Sequence, residues 1–353
     1  MKNKILHIAG CDKFIPPFIE FIKQNFEFND HQFLLTNGMA EHELKNVANV
    51  ILSKRSIIGR LKHYAQAIIK MHQAKIVILH GLFDLRLVLI LFFMPWLLKK
   101  CYWVMWGGDL YVYQLGECNW QWKLREFFRR PVIKSMGFFT TTVPGDYLLA
   151  KEWYGTKAKW IHNLMYPSHL YRISDTISCK SDKDRDIFIQ IGNSADPSNN
   201  HLEIIDKLEQ YKNNNIKVFC PLSYGSEVHK EKVISYGKKV LGDKFHPMVD
   251  YMSFEEYNAY MACIDIAIFN HDRQQAMGNA IGLLSLGKKV VLKKTVTPFS
   301  FFEEIGLIIY SIDDANLLDK LDADISINNI RKMKDYFHAE RLKSNWNDVF
   351  YGS

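Results

Sequence analysis

The residues whose types and spacing suit chemistry fall in short polar loops that follow apolar runs. In Gln190-Ile-Gly-Asn-Ser-Ala-Asp-Pro-Ser-Asn-Asn200, Gly192 allows close backbone approach, and Asn193 and Ser194 offer short hydrogen-bonding side chains. Ser198 or Asn199 can cap a following helix whose free N–H groups attract phosphate. The plainer reading is a capped strand-to-helix turn. A second loop, Pro221-Leu-Ser-Tyr-Gly225, sets Tyr224 and Gly225 at a strand end, where the ring can stack on a base or sugar, or simply pack. The third, Asn270-His-Asp-Arg-Gln-Gln-Ala-Met-Gly-Asn-Ala280, joins Arg273 to helix-start amides between Gln275 and Gly278. A guanidinium beside such amides clamps a diphosphate and steadies it as a leaving group. Three such loops on one sheet edge point to a nucleotide-diphosphate site.

The first half holds a second set: His7 to Asp12, His80-Gly81, and Trp106-Gly-Gly-Asp-Leu-Tyr111. Asp109 behind Gly107 and Gly108 is the candidate general base, because the glycines admit a substrate and a carboxylate can take a hydroxyl proton. Its alternative is a helix N-cap. His80 supports or replaces Asp109, or is structural; Asp12, Trp106, Gly107, Gly108 and Tyr111 are assigned to the acceptor side. Two patterns are set aside. Gly282-Leu-Leu-Ser-Leu-Gly-Lys-Lys289 lacks the Ser/Thr of a phosphate-binding loop and runs helix to strand; Asp182-Lys-Asp184 lies in a charged run. No metal-ligand set and no Gly-x-Gly-x-x-Gly is present, so neither a metal nor a dinucleotide cofactor is implied.

The elements that must position these loops are apolar runs at 4–10, 75–81, 101–106 and 137–142, then 187–192, 217–222, 264–269, 289–292 and 306–310. They have the doubly buried character of parallel strands, and helical stretches at 199–212, 226–241, 254–263 and 277–286 separate the later ones. The polar segment 174–186 reads as a linker. The expected fold class is therefore α/β: one Rossmann-like domain over 1–173 and a second, carrying the nucleotide-diphosphate loops, over 187–353. The last helix either stays with the second domain or packs back on the first, and a cleft is expected between the two rows of loops.

A chain of 353 residues with 48% hydrophobic and 24% charged residues suits two ordinary folded domains. The net charge of +7, with 14% aromatic residues, attracts a polyanion: nucleic acid, an anionic membrane or a phosphorylated substrate. Leu87 to Leu98 is too short to span a bilayer; it is a core helix or touches lipid with Lys99 and Lys100 at the headgroups. Trp120 to Lys134 mixes Trp and Phe with Lys and Arg, as an interfacial helix or an ordinary amphipathic one does. The six cysteines, without a CxxC pair or a signal-peptide start, read as free thiols in a reducing cytosol.

On His80-Gly81, Trp106-Gly107 with Asp109-Leu-Tyr111, Gly192-Asn-Ser194 with Asp196, Ser198 and Asn199, Tyr224, and Arg273-Gln-Gln275 with Gly278, the chain resembles the bacterial 4-acetamido-4,6-dideoxygalactose (Fuc4NAc) transferases of enterobacterial common antigen type. Gly108, where that family is expected to have Ala, and the loop from Cys11 to Pro17 depart from its pattern. The resemblance implies a GT-B glycosyltransferase without bound metal or cofactor. It implies a dTDP-sugar donor on the second domain, with Gly225, Gln274 and Asn279 beside the motif residues. The acceptor it implies is an undecaprenyl-diphosphate-linked saccharide, reached peripherally at the cytoplasmic face of the bacterial inner membrane. Common antigen, O-antigen or capsule synthesis would then be the process served. Competing expectations are a GT-B enzyme with another nucleotide sugar or a soluble acceptor, and a non-catalytic nucleic-acid-binding protein; the resemblance favours no nucleic acid.

Overall fold

The computed structural model describes residues 4–36, 44, 47–171, 186–314 and 317–352. The chain divides into two compact units, Met1–Leu170 with Ala339–Ser353, and Tyr171–His338. The polar run expected to be a linker lies outside the described residues apart from Asp186, and Asp182-Lys-Asp184 lies outside them entirely.

The first unit is built on a parallel sheet of β1 (Ile5–Gly10), β2 (His31–Thr36), β3 (Val50–Leu52), β4 (Ile76–His80), β5 (Cys101–Val104), β6 (Phe138–Thr141) and β7 (Lys159–His162), in the order β3-β2-β1-β4-β5-β6-β7. Between the strands run α1 (Ile15–Asn25), α2 (Ile57–Gln73), α3 (Leu85–Phe93), α4 (Gly108–Leu115), α5 (Trp120–Ser135) and α6 (Pro144–Tyr154). Pro16 and Pro17 start α1 and Pro144 starts α6, where a missing N–H costs nothing. Ala67 and Met71 of α2, Leu87, Val88 and Leu91 of α3, and Val132 and Ile133 of α5 close over one face of the sheet. The chain reverses direction in the sheet between β1 and β4, the crevice where open α/β sheets bind ligands.

The second unit repeats this arrangement with β8 (Ile187–Ile191), β9 (Ile216–Pro221), β10 (Phe245–Met248), β11 (Ile266–Phe269), β12 (Lys289–Leu292) and β13 (Tyr310–Ser311), in the order β10-β9-β8-β11-β12-β13, all parallel. Its helices are α7 (His201–Glu209), α8 (Glu227–Leu241), α9 (Phe254–Cys263), α10 (Met277–Ser285), α11 (Thr297–Glu304) and α12 (Ala323–Tyr336). Here the reversal falls between β8 and β11. The last helix, α13 (Ala339–Tyr351), belongs to the first unit: the Trp346 indole N–H donates to the Met165 carbonyl at 2.9 Å, and Phe350 packs edge-on to His7.

Both hydrophobic stretches flagged as membrane candidates are helical but amphipathic. Leu87, Val88 and Leu91 are core while Phe93 and Trp96 are exposed; Glu126, Arg129, Val132 and Ile133 are buried while Trp120, Leu124 and Phe127 are exposed. Among the described residues no helix is long and apolar enough to cross a membrane. Cys101, Cys118 and Cys220 are free thiols, but Cys263 is disulfide-bonded, which departs from the expectation that all six are free.

Candidate active site

In the second unit the three polar loops meet at the reversal between β8 and β11. Gly192 leaves β8 with φ +63°, and a Cβ there would lie 2.5 Å from Nε2 of His201 and 2.8 Å from Oδ1 of Asn199. No residue but glycine fits. The Asn193 N–H donates to Asn199 Oδ1 at 3.0 Å, which fixes the amide orientation, so Nε2 of His271, 2.9 Å from the same oxygen, must carry its proton. Asn193 donates through Nδ2 to the Tyr224 hydroxyl at 3.0 Å and accepts from Gln275 Nε2 at 3.0 Å. The Ser198 hydroxyl donates to Asp196 Oδ1 at 2.7 Å and lies 2.8 Å from Gln275 Oε1. Asn199 also donates to the Asp196 carbonyl at 2.9 Å and approaches Ser194 Oγ at 3.4 Å. Gly225, at φ +120°, lies against Ala195, where a Cβ would come within 2.6 Å of the backbone. The loops after β8, β9 and β11 are thus one hydrogen-bonded cluster.

The positive charge sits on its rim. Arg273 Nη2 lies 3.4 Å from Asp196 Oδ2, a long contact that an anion can replace. Desolvation pushes the Asp196 carboxyl up, but the Ser198 hydroxyl and N–H, with the Arg273 guanidinium, outweigh it and hold it below the usual carboxylate range. Beside Arg273, α10 begins from Ala276 at φ +55°, and no side chain caps its first turn. Gly278 lies in that turn, and the Asn279 N–H closes it on the Ala276 carbonyl. Lys293, after β12, donates to Asp272 at 2.7 Å. Gln274 is buried with its Oε1 unpartnered, as is His201 with its Nε2. His201 and His271 do not stand out in the sequence: His271 lies inside the run 270–280, but burial of a loop histidine has no sequence signal.

In the first unit the geometry is different from what a base at Asp109 requires. Asp109 is 1% exposed, and its oxygens accept the Trp103 indole N–H at 2.6 Å, the Leu82 N–H at 2.8 Å and the Trp106 N–H at 3.0 Å. Burial raises its pKa against these donors and the nearby Arg129. Arg129, itself buried, donates to the carbonyls of Leu82 and Asp109 at 2.7 and 2.6 Å and to Glu126 at 3.0 Å. Asp109 therefore ties together the loops after β4 and β5 and presents no oxygen to a substrate. Gly107 takes φ +78° to make the turn, and Gly108 opens α4. Tyr111 is likewise a core residue, donating to Asp146 at 3.1 Å, and does not line the sheet edge.

His80 belongs to a buried row across the strands. His31 Nδ1 lies 3.0 Å from His7 Nε2, His7 Nδ1 lies 3.1 Å from His80 Nε2, and His80 Nδ1 lies 2.7 Å from the Tyr166 hydroxyl, which accepts the Trp106 indole N–H at 2.9 Å. Desolvation lowers all three histidines, His80 to about 3, His31 to about 4 and His7 well below its usual value with a further push from its two neighbours. They are neutral at pH 7 and none is poised to exchange a proton there. Asp12, just after β1, is a half-buried carboxylate at this edge: its Oδ1 is enclosed without a hydrogen-bond partner, and it acts electrostatically on Tyr166.

The whole chain superposes on solved glycosyltransferases at low sequence identity. HepE from Anabaena, in complex with UDP-glucose, matches with a TM-score of 0.71 and 12% identity over 100% of both chains. WaaG, a glycosyltransferase involved in lipopolysaccharide biosynthesis, matches at 0.64 and 11% over 99% of this chain and 100% of its own. A UDP-forming trehalose-phosphate synthase from Burkholderia xenovorans matches at 0.66 and 8% over 99% and 98%. At such identities the likeness establishes the fold, that of the GT-B glycosyltransferases. The profile of the family described as 4-alpha-L-fucosyltransferase, glycosyl transferase group 56, matches residues 16–352, consistent with the resemblance to Fuc4NAc transferases; the chain belongs to that family and is a glycosyltransferase.

Proposed function

We propose that the enzyme transfers a deoxy-amino sugar, Fuc4NAc, from its dTDP-sugar to an undecaprenyl-diphosphate-linked saccharide during cell-surface polysaccharide synthesis, working peripherally at the cytoplasmic face of the bacterial inner membrane. The observation that carries the donor side is Arg273 held loosely on Asp196 beside the uncapped start of α10. A diphosphate can take over the guanidinium and the first-turn amides together. HepE and its bound UDP-glucose support a nucleotide sugar as the donor class; family membership supports the deoxy sugar.

In an inverting displacement the acceptor hydroxyl oxygen bonds to the anomeric carbon as the bond from that carbon to the diphosphate oxygen breaks. The nucleotide departs with the electron pair, steadied by Arg273, and the hydroxyl proton goes to a carboxylate. We assign that proton to Asp12. Asp109 and Arg129 hold the loops around it, and Trp106 and Tyr166 line the edge beside it. The donor side is tested by thermal shift with dTDP, UDP, GDP and their sugars. Selective stabilisation by dTDP and dTDP-Fuc4NAc is expected, followed by transfer to a polyprenyl-diphosphate saccharide in detergent; stabilisation by another base alone would replace the donor assignment.

A further inference from the structure

The corner between β3 and α2 is a surface with no part in the proposed transfer. Ile57, Ile58 and Leu61 are 77%, 66% and 66% exposed, an apolar tip of a kind soluble surfaces rarely collect. Around it Lys54, Arg55, Arg60 and Lys62 are all exposed, and residues 53–62 contain no acidic side chain. The corner is built to hold this shape. Ser56 caps α2 by accepting the Gly59 N–H at 3.1 Å, Arg60 donates to the Arg55 carbonyl, and a Cβ on Gly59 would lie 2.5 Å from Cβ of Lys54. Tyr64 of α2 donates to Asp84, which caps the start of α3, so exposed Phe83 and Arg86 adjoin the same surface. Among the described residues of this surface the carboxylate is Asp84, and both its oxygens are engaged.

The corner directly follows β3 and Phe83 directly follows β4, so both lie at the carboxyl edge of the parallel sheet, the edge that carries Asp12 and Trp106. Another exposed aromatic patch, Phe93 with Trp96, lies beside or within the turn that leads into the start of β5, at the opposite edge. Apolar side chains ringed by cations are complementary to a bilayer surface with anionic headgroups. We infer that Ile57, Ile58 and Leu61, with the basic residues around them, dock the first unit on an anionic phospholipid surface and bring its acceptor edge down to the lipid. This rests on the reading of the acceptor as lipid-linked.

The test is flotation of the full chain with vesicles containing phosphatidylglycerol, compared with neutral phosphatidylcholine vesicles. The wild type should float with the anionic vesicles. Ile57→Glu/Ile58→Glu and Lys54→Glu/Arg60→Glu/Lys62→Glu should each lower the vesicle partition coefficient by at least roughly tenfold, with dTDP-induced stabilisation unchanged. Phe93→Glu/Trp96→Glu should float as wild type. Flotation of the corner variants at the wild-type level, equal binding to neutral vesicles, loss confined to the Phe93/Trp96 variant, or a dimer that the corner variants dissolve would each overturn the inference. Transfer to the polyprenyl-diphosphate saccharide in detergent separates the two readings: an enzyme that floats through this corner yet glycosylates only a soluble acceptor leaves the docking surface standing and removes the lipid-linked acceptor.

Discussion

Asp109 and Asp12, both at the ligand edge of the first unit, differ in what surrounds them. Asp109 is saturated by three N–H donors, so Asp109→Asn turns an acceptor face into one that carries two donors of its own against the same groups. A loss of about 2–3 kcal/mol is expected, roughly 5–10 °C in the unfolding midpoint of this unit, with turnover falling only as folded protein is lost. Asp12→Asn should do the reverse: kcat down by about 10²–10⁴-fold with the midpoint kept. A stable, inactive Asp109→Asn beside an active Asp12→Asn would return the proton to Asp109. Arg273→Ala should lower kcat/KM by about 10²–10³-fold with circular dichroism unchanged, since its side chain holds only long contacts in the free protein. Near-wild-type turnover would end its role at the diphosphate. Asp109 stands out in the sequence because a strand-end Gly-Gly-Asp looks like an open site; that the indole of Trp103 and the amide of Leu82 enclose it is a tertiary fact with no spacing to announce it.

At the scale of elements, the runs flanked by glycine and polar loops were legible, and the reversal of each sheet gathers those loops. The strands that apolar runs do not reveal have physical reasons: β2 opens with buried His31 and Gln32, β3 has three residues, and β7 and β10 are edge strands, the latter with Pro247 inside it. The same buried histidines make a prediction. His80, His201 and His271 are lowered to about 3 and His31 to about 4, in each case chiefly by burial, while unfolded histidines titrate near their ordinary value. Between those limits the unfolded chain binds more protons than the folded one. Stability is therefore full at pH 7 and falls as the pH drops below about 6.5, by up to about 1.4 kcal/mol per pH unit for each such histidine. The urea midpoint at pH 5 should lie clearly below that at pH 7; equal midpoints would mean these rings are solvated in the native state.

For the molecule as a whole, the division of labour leaves an optical label. All eight tryptophans, at 96, 103, 106, 120, 122, 153, 160 and 346, lie in the first unit, and the second has none. Tryptophan fluorescence thus follows the unfolding of the first unit alone, whereas circular dichroism follows both. If the nucleotide is held by the loops at Gly192, Tyr224 and Arg273, its binding energy is linked to the folding of the second unit. At about a hundredfold excess over Kd, dTDP should stabilise that unit by about 2.7 kcal/mol. Heating with dTDP should then shift the dichroism transition upward while the fluorescence transition stays in place. A fluorescence transition that moves with ligand to the same extent would mean that the first unit also binds the nucleotide or unfolds only together with the second. Arg273→Ala should abolish the dichroism shift and leave the fluorescence trace untouched, which locates the diphosphate on one side of the chain without any measurement of turnover.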